Sequence, residues 1–203
     1  MRIVWRDIVI GLVIGVVIGA LLLPILSNTN LIAKIPSPYL AFLILLPILS
    51  AAGVFVASLI GRMVPIIWQI AKFGLIGVLN TALDLGVYNV LIYATGYDKG
   101  LQLALINAVS FTVAVVNSYI WNKKWVFEGK ARRSRTQFFE FLTVSVVAAI
   151  ISSLIVGLFT GYIAPPGGVS AAQWANVAKI MAIAFSFVWN FVGYKFVVFR
   201  EKM

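Results

Sequence analysis

Residues 67–93 read Ile67-Trp-Gln-Ile-Ala-Lys72-Phe-Gly-Leu-Ile-Gly-Val-Leu-Asn80-Thr81-Ala-Leu-Asp84-Leu-Gly-Val-Tyr-Asn-Val-Leu-Ile-Tyr93, and this stretch decides the fold. It exceeds the roughly 20 predominantly apolar residues that an α-helix needs to cross a bilayer. Lipid admits only helices or closed barrels, because backbone groups there have no water to bond, and the run lacks the alternation of a barrel strand. Similar runs lie on either side, at 8–26, 39–61, 101–121, 138–162 and 174–198. Turn signals separate them: Ser27-Asn28-Thr29-Asn30, Gly96-Tyr97-Asp98-Lys99-Gly100 and Pro165-Pro166-Gly167-Gly168. The expected fold is therefore an all-α integral membrane protein with six transmembrane helices.

Composition agrees. Of 203 residues, 62% are hydrophobic and 11% charged, with mean hydropathy +1.04, where a soluble domain carries about a quarter charged residues. There is no Cys and no His, which removes disulfides, thiolate metal sites, the usual general base and the commonest metal ligand. Of six carboxylates, Asp7, Asp98, Glu128, Glu140 and Glu201 fall at or near the ends of apolar blocks. No phosphate-binding Gly-rich loop ending in Lys-Ser/Thr is present. The chain is not expected to be an enzyme or to hold a cofactor or metal. A net charge of +10 would suggest nucleic acid in a soluble protein. Here the cations flank apolar blocks, topology accounts for them, and no nucleic-acid partner is expected.

Orientation follows from those cations. One side collects Arg2, Arg6, Arg62, Lys123, Lys124, Lys130, Arg132, Arg133, Arg135, Arg200 and Lys202, the other only Lys34 and Lys99, eleven against two. Both termini are predicted to be cytoplasmic, in a multi-pass protein of the cell (inner or plasma) membrane. The first span is too long for a signal-peptide core and lacks a small-residue cleavage pattern. Its Gly11, Gly15 and Gly19, four apart, line one face and predict close packing against another helix.

From residue 67 the chain repeats. Gln69-Ile-Ala-Lys72-Phe73 opens the third span and Gln137-Phe-Phe-Glu140-Phe141 the fifth. The fourth ends Asn117-Ser-Tyr-Ile-Trp121-Asn122-Lys123-Lys124-Trp125-Val-Phe127, and the sixth ends Asn190-Phe-Val-Gly-Tyr194-Lys195-Phe-Val-Val-Phe199, one residue shorter between the asparagine and the final Phe. The last four helices are read as two parallel two-helix repeats about an axis along the membrane normal. This divides the chain into an additional helix pair, 1–66, and a four-helix domain, 67–203.

Two polar layers are candidates for chemistry. At the cytoplasmic end stand Asn117, Trp121, Asn122, Lys123 and Lys124, with Asn190, Tyr194 and Lys195. Ammonium groups, amides and rings together suit a phosphate joined to a sugar. Trp125, Phe127 and Phe199 read instead as an interfacial aromatic belt. The second layer is intramembrane: Asn80, Thr81 and Asp84, with Asn107 and Lys179 at similar depth. An Asp84–Lys179 pair would offset the cost of both charges, either as a structural clamp or as part of a polar path. The basic Lys123–Arg135 loop would attract anionic membrane lipids.

The segments Lys72–Asp84, Asn117–Phe127 and Ser186-Phe-Val-Trp-Asn190 through Phe199, in this order, resemble the GtrA-like family over about residues 67–200. The resemblance implies a small four-helix membrane protein that moves polyprenyl-phosphate-linked sugars across the membrane for polysaccharide or glycan synthesis. It also implies a polyprenyl-phosphate glycosyltransferase nearby. The two helices before residue 67 depart from the family plan and would serve assembly or shape a lipid groove. The favoured expectation is a flippase for a polyprenyl-phosphate-linked monosaccharide. The alternatives are a non-transporting anchor or accessory subunit of such a glycosyltransferase, and a small ion-coupled exporter using Asp84. A homo-oligomer is compatible with each.

Overall fold

The computed structural model describes residues 5–28, 32–96, 100–127, 135–167 and 171–200. Among them the chain forms six long helices and no strand. These are α1 (Trp5–Asn28), α2 (Pro38–Ile60), α3 (Pro65–Thr95), α4 (Gly100–Trp121), α5 (Arg135–Tyr162) and α6 (Ala171–Gly193). All six expected spans are helical, most a few residues longer than their apolar runs. Among the described residues, four segments are long and apolar enough to cross a membrane: Trp5–Leu23, Pro38–Ile60, Pro65–Thr95 and Met181–Val198.

Proline and glycine set the helix ends and breaks. Pro65 opens α3, where its fixed φ and missing N–H cost nothing. Gly96 closes α3 with φ 70°, its N–H donating to the Ile92 carbonyl at 2.8 Å, a left-handed C-cap that glycine adopts without strain. Pro47 falls inside α2, where it removes the bond to Leu43, and the turn just before it, Ala41–Leu45, widens into π-helix.

The chain divides into two compact units, Met1–Val126 and Phe127–Met203. In the first, α1 packs on both α2 and α3, and α3 pairs with α4. The predicted glycine face is the α1–α2 seam. A Cβ on Gly15 would lie 2.6 Å from the Pro47 Cα, and one on Gly19 would strike the Phe42 carbonyl oxygen. Only glycine permits that backbone approach. Gly86 of α3 similarly admits Leu21 of α1, with 2.7 Å between its would-be Cβ and the Leu21 Cδ2. The additional helix pair is thus built onto the first hairpin. In the second unit, α5 pairs with α6, and Phe141 and Ala182 are fully buried there.

Each hairpin ends in the same local device. A five-residue π turn continues α4 over Asn122–Val126 and α6 over Tyr194–Val198, where Phe199 N–H donates to the Tyr194 carbonyl at 2.8 Å. Counted from these turns the two ends match without a gap: Asn122 with Tyr194, Lys123 with Lys195, Phe127 with Phe199. Asn117 then stands opposite Trp189, and Asn190 opposite Ser118. Counted this way, the expected equivalence of the two asparagines is off by one residue.

Candidate functional site

The polar residues of the first unit form two levels. At the start of α3, Lys72 is 1% exposed; its ammonium donates to the Trp125 carbonyl at 2.7 Å and lies 4.9 Å from the Trp68 ring centroid. The Trp125 indole N–H donates to the Asp7 carboxylate of α1 at 2.8 Å, and Asp7 is itself 6% exposed. Trp121 meets the Trp125 ring edge-on at 6.0 Å. The cation thus sits among two indoles, a carbonyl that the π turn leaves to be satisfied, and a helix from the additional pair. Sequence reasoning missed this cluster. Lys72 and Asp7 lie near the ends of apolar runs, where charges are ordinary, and only the long-range contact reveals their role.

Two turns further along α3, Asn80 accepts a hydrogen bond at 2.7 Å from the Asn117 amide. Eight residues separate Lys72 from Asn80 and Trp125 from Asn117, so this bond lies about 12 Å deeper than the Lys72 cluster at 1.5 Å per residue. Asn117 was expected in the cytoplasmic layer. The antiparallel pairing of α3 and α4 sets it beside Asn80 instead. Asp84, one turn beyond Asn80 on the same face, has a buried Oδ1 with no partner among the described residues. Thr81 turns away and bonds the Gly77 carbonyl of its own helix at 3.1 Å. The side chains of Lys179 and Asn107 lie outside the described residues, and with them the expected Asp84–Lys179 pair.

At the end of α4, Asn122 is 1% exposed and donates to the Ser118 carbonyl at 2.8 Å, while its Oδ1 has no partner among the described residues. The Lys123 ammonium bonds the Tyr119 hydroxyl at 3.1 Å, and Lys124 is exposed. Trp125 was expected in an interfacial belt, but it is 2% exposed and belongs to the core.

In the second unit the expected ligand-facing Tyr194 is buried. Its ring stacks on Phe141 at 4.2 Å and its hydroxyl bonds the Ser145 hydroxyl at 2.6 Å. It joins α5 to α6, as do Trp189 Nε1 donating to the Val144 carbonyl at 3.2 Å and Gln137 donating to the Val198 carbonyl at 2.9 Å. Gly193 permits this fit, since a Cβ there would lie 2.6 Å from Val144 Cγ1. The Asn190 Oδ1 is buried and unpartnered among the described residues, and Lys195 lies 5.8 Å from the Phe191 ring centroid. Phe127 and Phe199, also expected in the belt, stack on each other at 5.0 Å and are buried. Paired rings gain about 0.5–1.5 kcal/mol beyond the area they bury. Among the described residues no group of three or more Asp or Glu side chains is placed to hold a metal.

Long apolar helices carrying paired amides in their interior define a multi-pass membrane protein with a polar seam. Residues 72–199 match the transmembrane domain shared by the GtrA and DPMS proteins, and the chain belongs to that family. It is 29% identical over 134 residues to the uncharacterized membrane protein YngA of Bacillus subtilis, covering 66% of this chain and 81% of that protein. It is 32% identical over 134 residues to the prophage bactoprenol-linked glucose translocase homolog of Escherichia coli, covering 64% of this chain and 94% of the relative. No solved structure matches the chain. The family match begins at Lys72, the cation packed against the Trp68 and Trp125 rings.

Proposed function

We propose that this protein translocates a polyprenyl-phosphate-linked sugar across the cell membrane, with six spans, both termini cytoplasmic and the two hairpins as parallel repeats. One observation carries the reading most directly. Among the described residues the buried side-chain atoms left without a hydrogen-bond partner are Asp84 Oδ1, Asn122 Oδ1 and Asn190 Oδ1. All three are oxygens, and unsatisfied buried acceptors cost stability unless a donor arrives. A sugar carries several hydroxyl donors on a headgroup that cannot enter hydrocarbon alone. Such acceptors lower its barrier while the prenyl tail stays in lipid. The name of the Escherichia coli relative, a bactoprenol-linked glucose translocase homolog, supports the same class of substrate.

Asn190 reads hydroxyls near the cytoplasmic face, Lys123, Lys124 and Lys195 attract the phosphate and surrounding anionic lipids, and the enclosed Asn122 shapes the end of α4 beneath them. Asp84, with the Asn80–Asn117 pair, forms the deeper step. Trp121 and Tyr194 hold the helices that carry these groups. A glycosyltransferase that makes the lipid on the cytoplasmic side is the natural neighbour.

The test is reconstitution of the pure protein into liposomes with a polyprenyl-phosphate glucose, measuring its arrival in the opposite leaflet. The expected result is translocation by the wild type, and binding with slowed translocation by Asp84→Asn. A folded protein that binds this lipid without moving it would refute the transport reading and leave an anchoring role. An Asp84→Asn variant with normal rate and stability would remove Asp84 from the path.

A further inference from the structure

One face of α6 carries rings where the matching face of α4 carries an amide and an ammonium. Phe185, Trp189 and Val192 recur at intervals of four and three, which places them on one side of the helix, and all three are exposed. Phe196, also exposed, continues the row into the π turn. Counted from the π turns, the α4 positions that match this row are Val113, Asn117, Ile120 and Lys124. Asn117 is there bonded to Asn80, whereas Trp189 presents an indole. The row lies inside Met181–Val198, a segment long and apolar enough to cross a membrane, so its exposed side meets lipid.

From this we infer that the row binds the prenyl tail of the lipid substrate, with Lys195 holding the phosphate at its end. The inference rests on the translocation reading and adds the part of the substrate that polar residues cannot recognise. Indoles ordinarily collect in the headgroup layer, yet Trp189 stands six residues before Lys195, about 9 Å further into the span. Its Nε1–H donates to the Val144 carbonyl at 3.2 Å, which satisfies its polar atom and fixes the ring. Phe185 lies against it at 6.2 Å with the two planes 18° apart, so the pair forms a flat step on the helix surface. A prenyl chain, stiffened by a double bond in each isoprene unit, gives up less freedom on such a fixed surface than a saturated acyl chain does. Phe185 and Phe196 are eleven residues apart, about 16 Å along the helix, a length that takes the first isoprene units. At the end of the row the Lys195 ammonium lies 5.6 Å from the Phe196 ring centroid, and among the described residues no carboxylate pairs with it. Its counterpart Lys123 bonds the Tyr119 hydroxyl at 3.1 Å; the residue matching Tyr119 is Phe191, which has no hydroxyl to offer. A cation left open at the head of an apolar row is complementary to a phosphate joined to an apolar chain.

The experiment uses the full chain in phosphatidylcholine nanodiscs, with radiolabelled farnesyl phosphate and its saturated analogue dodecyl phosphate as probes and empty nanodiscs as background. The wild type is expected to bind farnesyl phosphate about fivefold more tightly than dodecyl phosphate. Phe185→Leu combined with Phe196→Leu keeps the surface apolar and is expected to abolish that preference, with dodecyl phosphate bound as by the wild type. Lys195→Gln is expected to weaken both probes alike, by about tenfold, the usual loss when a charge-assisted bond disappears. Phe111→Leu removes an exposed ring from α4 and is expected to change neither affinity. A wild type without the preference, a double variant that keeps it, or a Lys195→Gln variant that binds like the wild type would each overturn the inference, even where the protein still translocates lipid in liposomes. Should the double variant fail to fold, Phe185→Leu alone is expected to reduce the preference by about half, and an unaltered ratio there overturns the inference equally. The expected preferences in a protein that moves no lipid-linked sugar would refute the translocation reading and leave the tail site standing.

Discussion

Replacing Asp7 by alanine tests whether the additional helices are structurally part of the family domain. The Asp7 carboxylate accepts the Trp125 indole N–H at 2.8 Å with both residues almost fully buried, so nothing from solvent takes its place when it is removed. A buried bond to a charged partner contributes about 1.5–3 kcal/mol, and stranding its donor forfeits most of that. The expected loss is about 2 kcal/mol, which for a chain of this size lowers the melting midpoint by about 4–8 °C. Asp7→Asn keeps an acceptor and should recover part of the loss. The assay is thermal unfolding in detergent followed by tryptophan fluorescence, with Trp125→Phe completing a double-mutant cycle. If the bond is as described, Asp7→Ala should cost little more once Trp125 is Phe, giving a coupling energy within the 0.5–3 kcal/mol range of contacting pairs. Additive effects, or an Asp7→Ala midpoint equal to wild type, would refute the reasoning and detach α1 from the family domain.

The other expectations are simpler. Gly19→Ala places a methyl against the Phe42 carbonyl oxygen and should destabilise by about 1–3 kcal/mol, as overpacked sites do. Gly53→Ala on the next helix meets nothing within 4 Å and should be neutral or stabilising through helix propensity; equal effects in the same denaturation assay would contradict the α1–α2 seam. For topology, cysteines at Ser27, Gly96 and Gly168 should react with an impermeant thiol reagent added outside intact cells, and reaction only after lysis would reverse the orientation.

The helices were legible because bilayer thickness imposes a length that apolar runs display directly. The glycine face of α1 was legible for a related reason: spacing by four on one helix implies an approach, whatever the partner. What sequence reading missed depends on partners distant in the chain. Asn80 and Asn117 are 37 residues apart, and their bond required counting both helices from the same end of the hairpin. Reading Asn117 from the nearby lysines placed it too shallow. Trp125, Phe127 and Phe199 have the composition of a headgroup belt, and residue type cannot tell a ring facing lipid headgroups from one packed beneath a hairpin end. Asp7 lay hidden because a carboxylate beside Arg6 at the start of a span has an ordinary explanation in topology. Of the intended ligand-facing residues, Lys124 is open, whereas Asn122 and Tyr194 are enclosed.

The π turn at Tyr194–Val198 holds one more residue than an α-helical turn would span, and Phe199, stacked on Phe127, follows it. Deleting a single residue there would turn the bond from Phe199 N–H to the Tyr194 carbonyl into an ordinary α-helical one and leave Phe199 nearly in place, whereas a deletion within α6 itself would rotate everything after it by about 100°. Hydropathy would be unchanged by such a deletion, and a comparison by residue type would absorb it as a harmless gap. Loss of one residue is therefore expected to be tolerated better inside this turn than in the helix that leads to it.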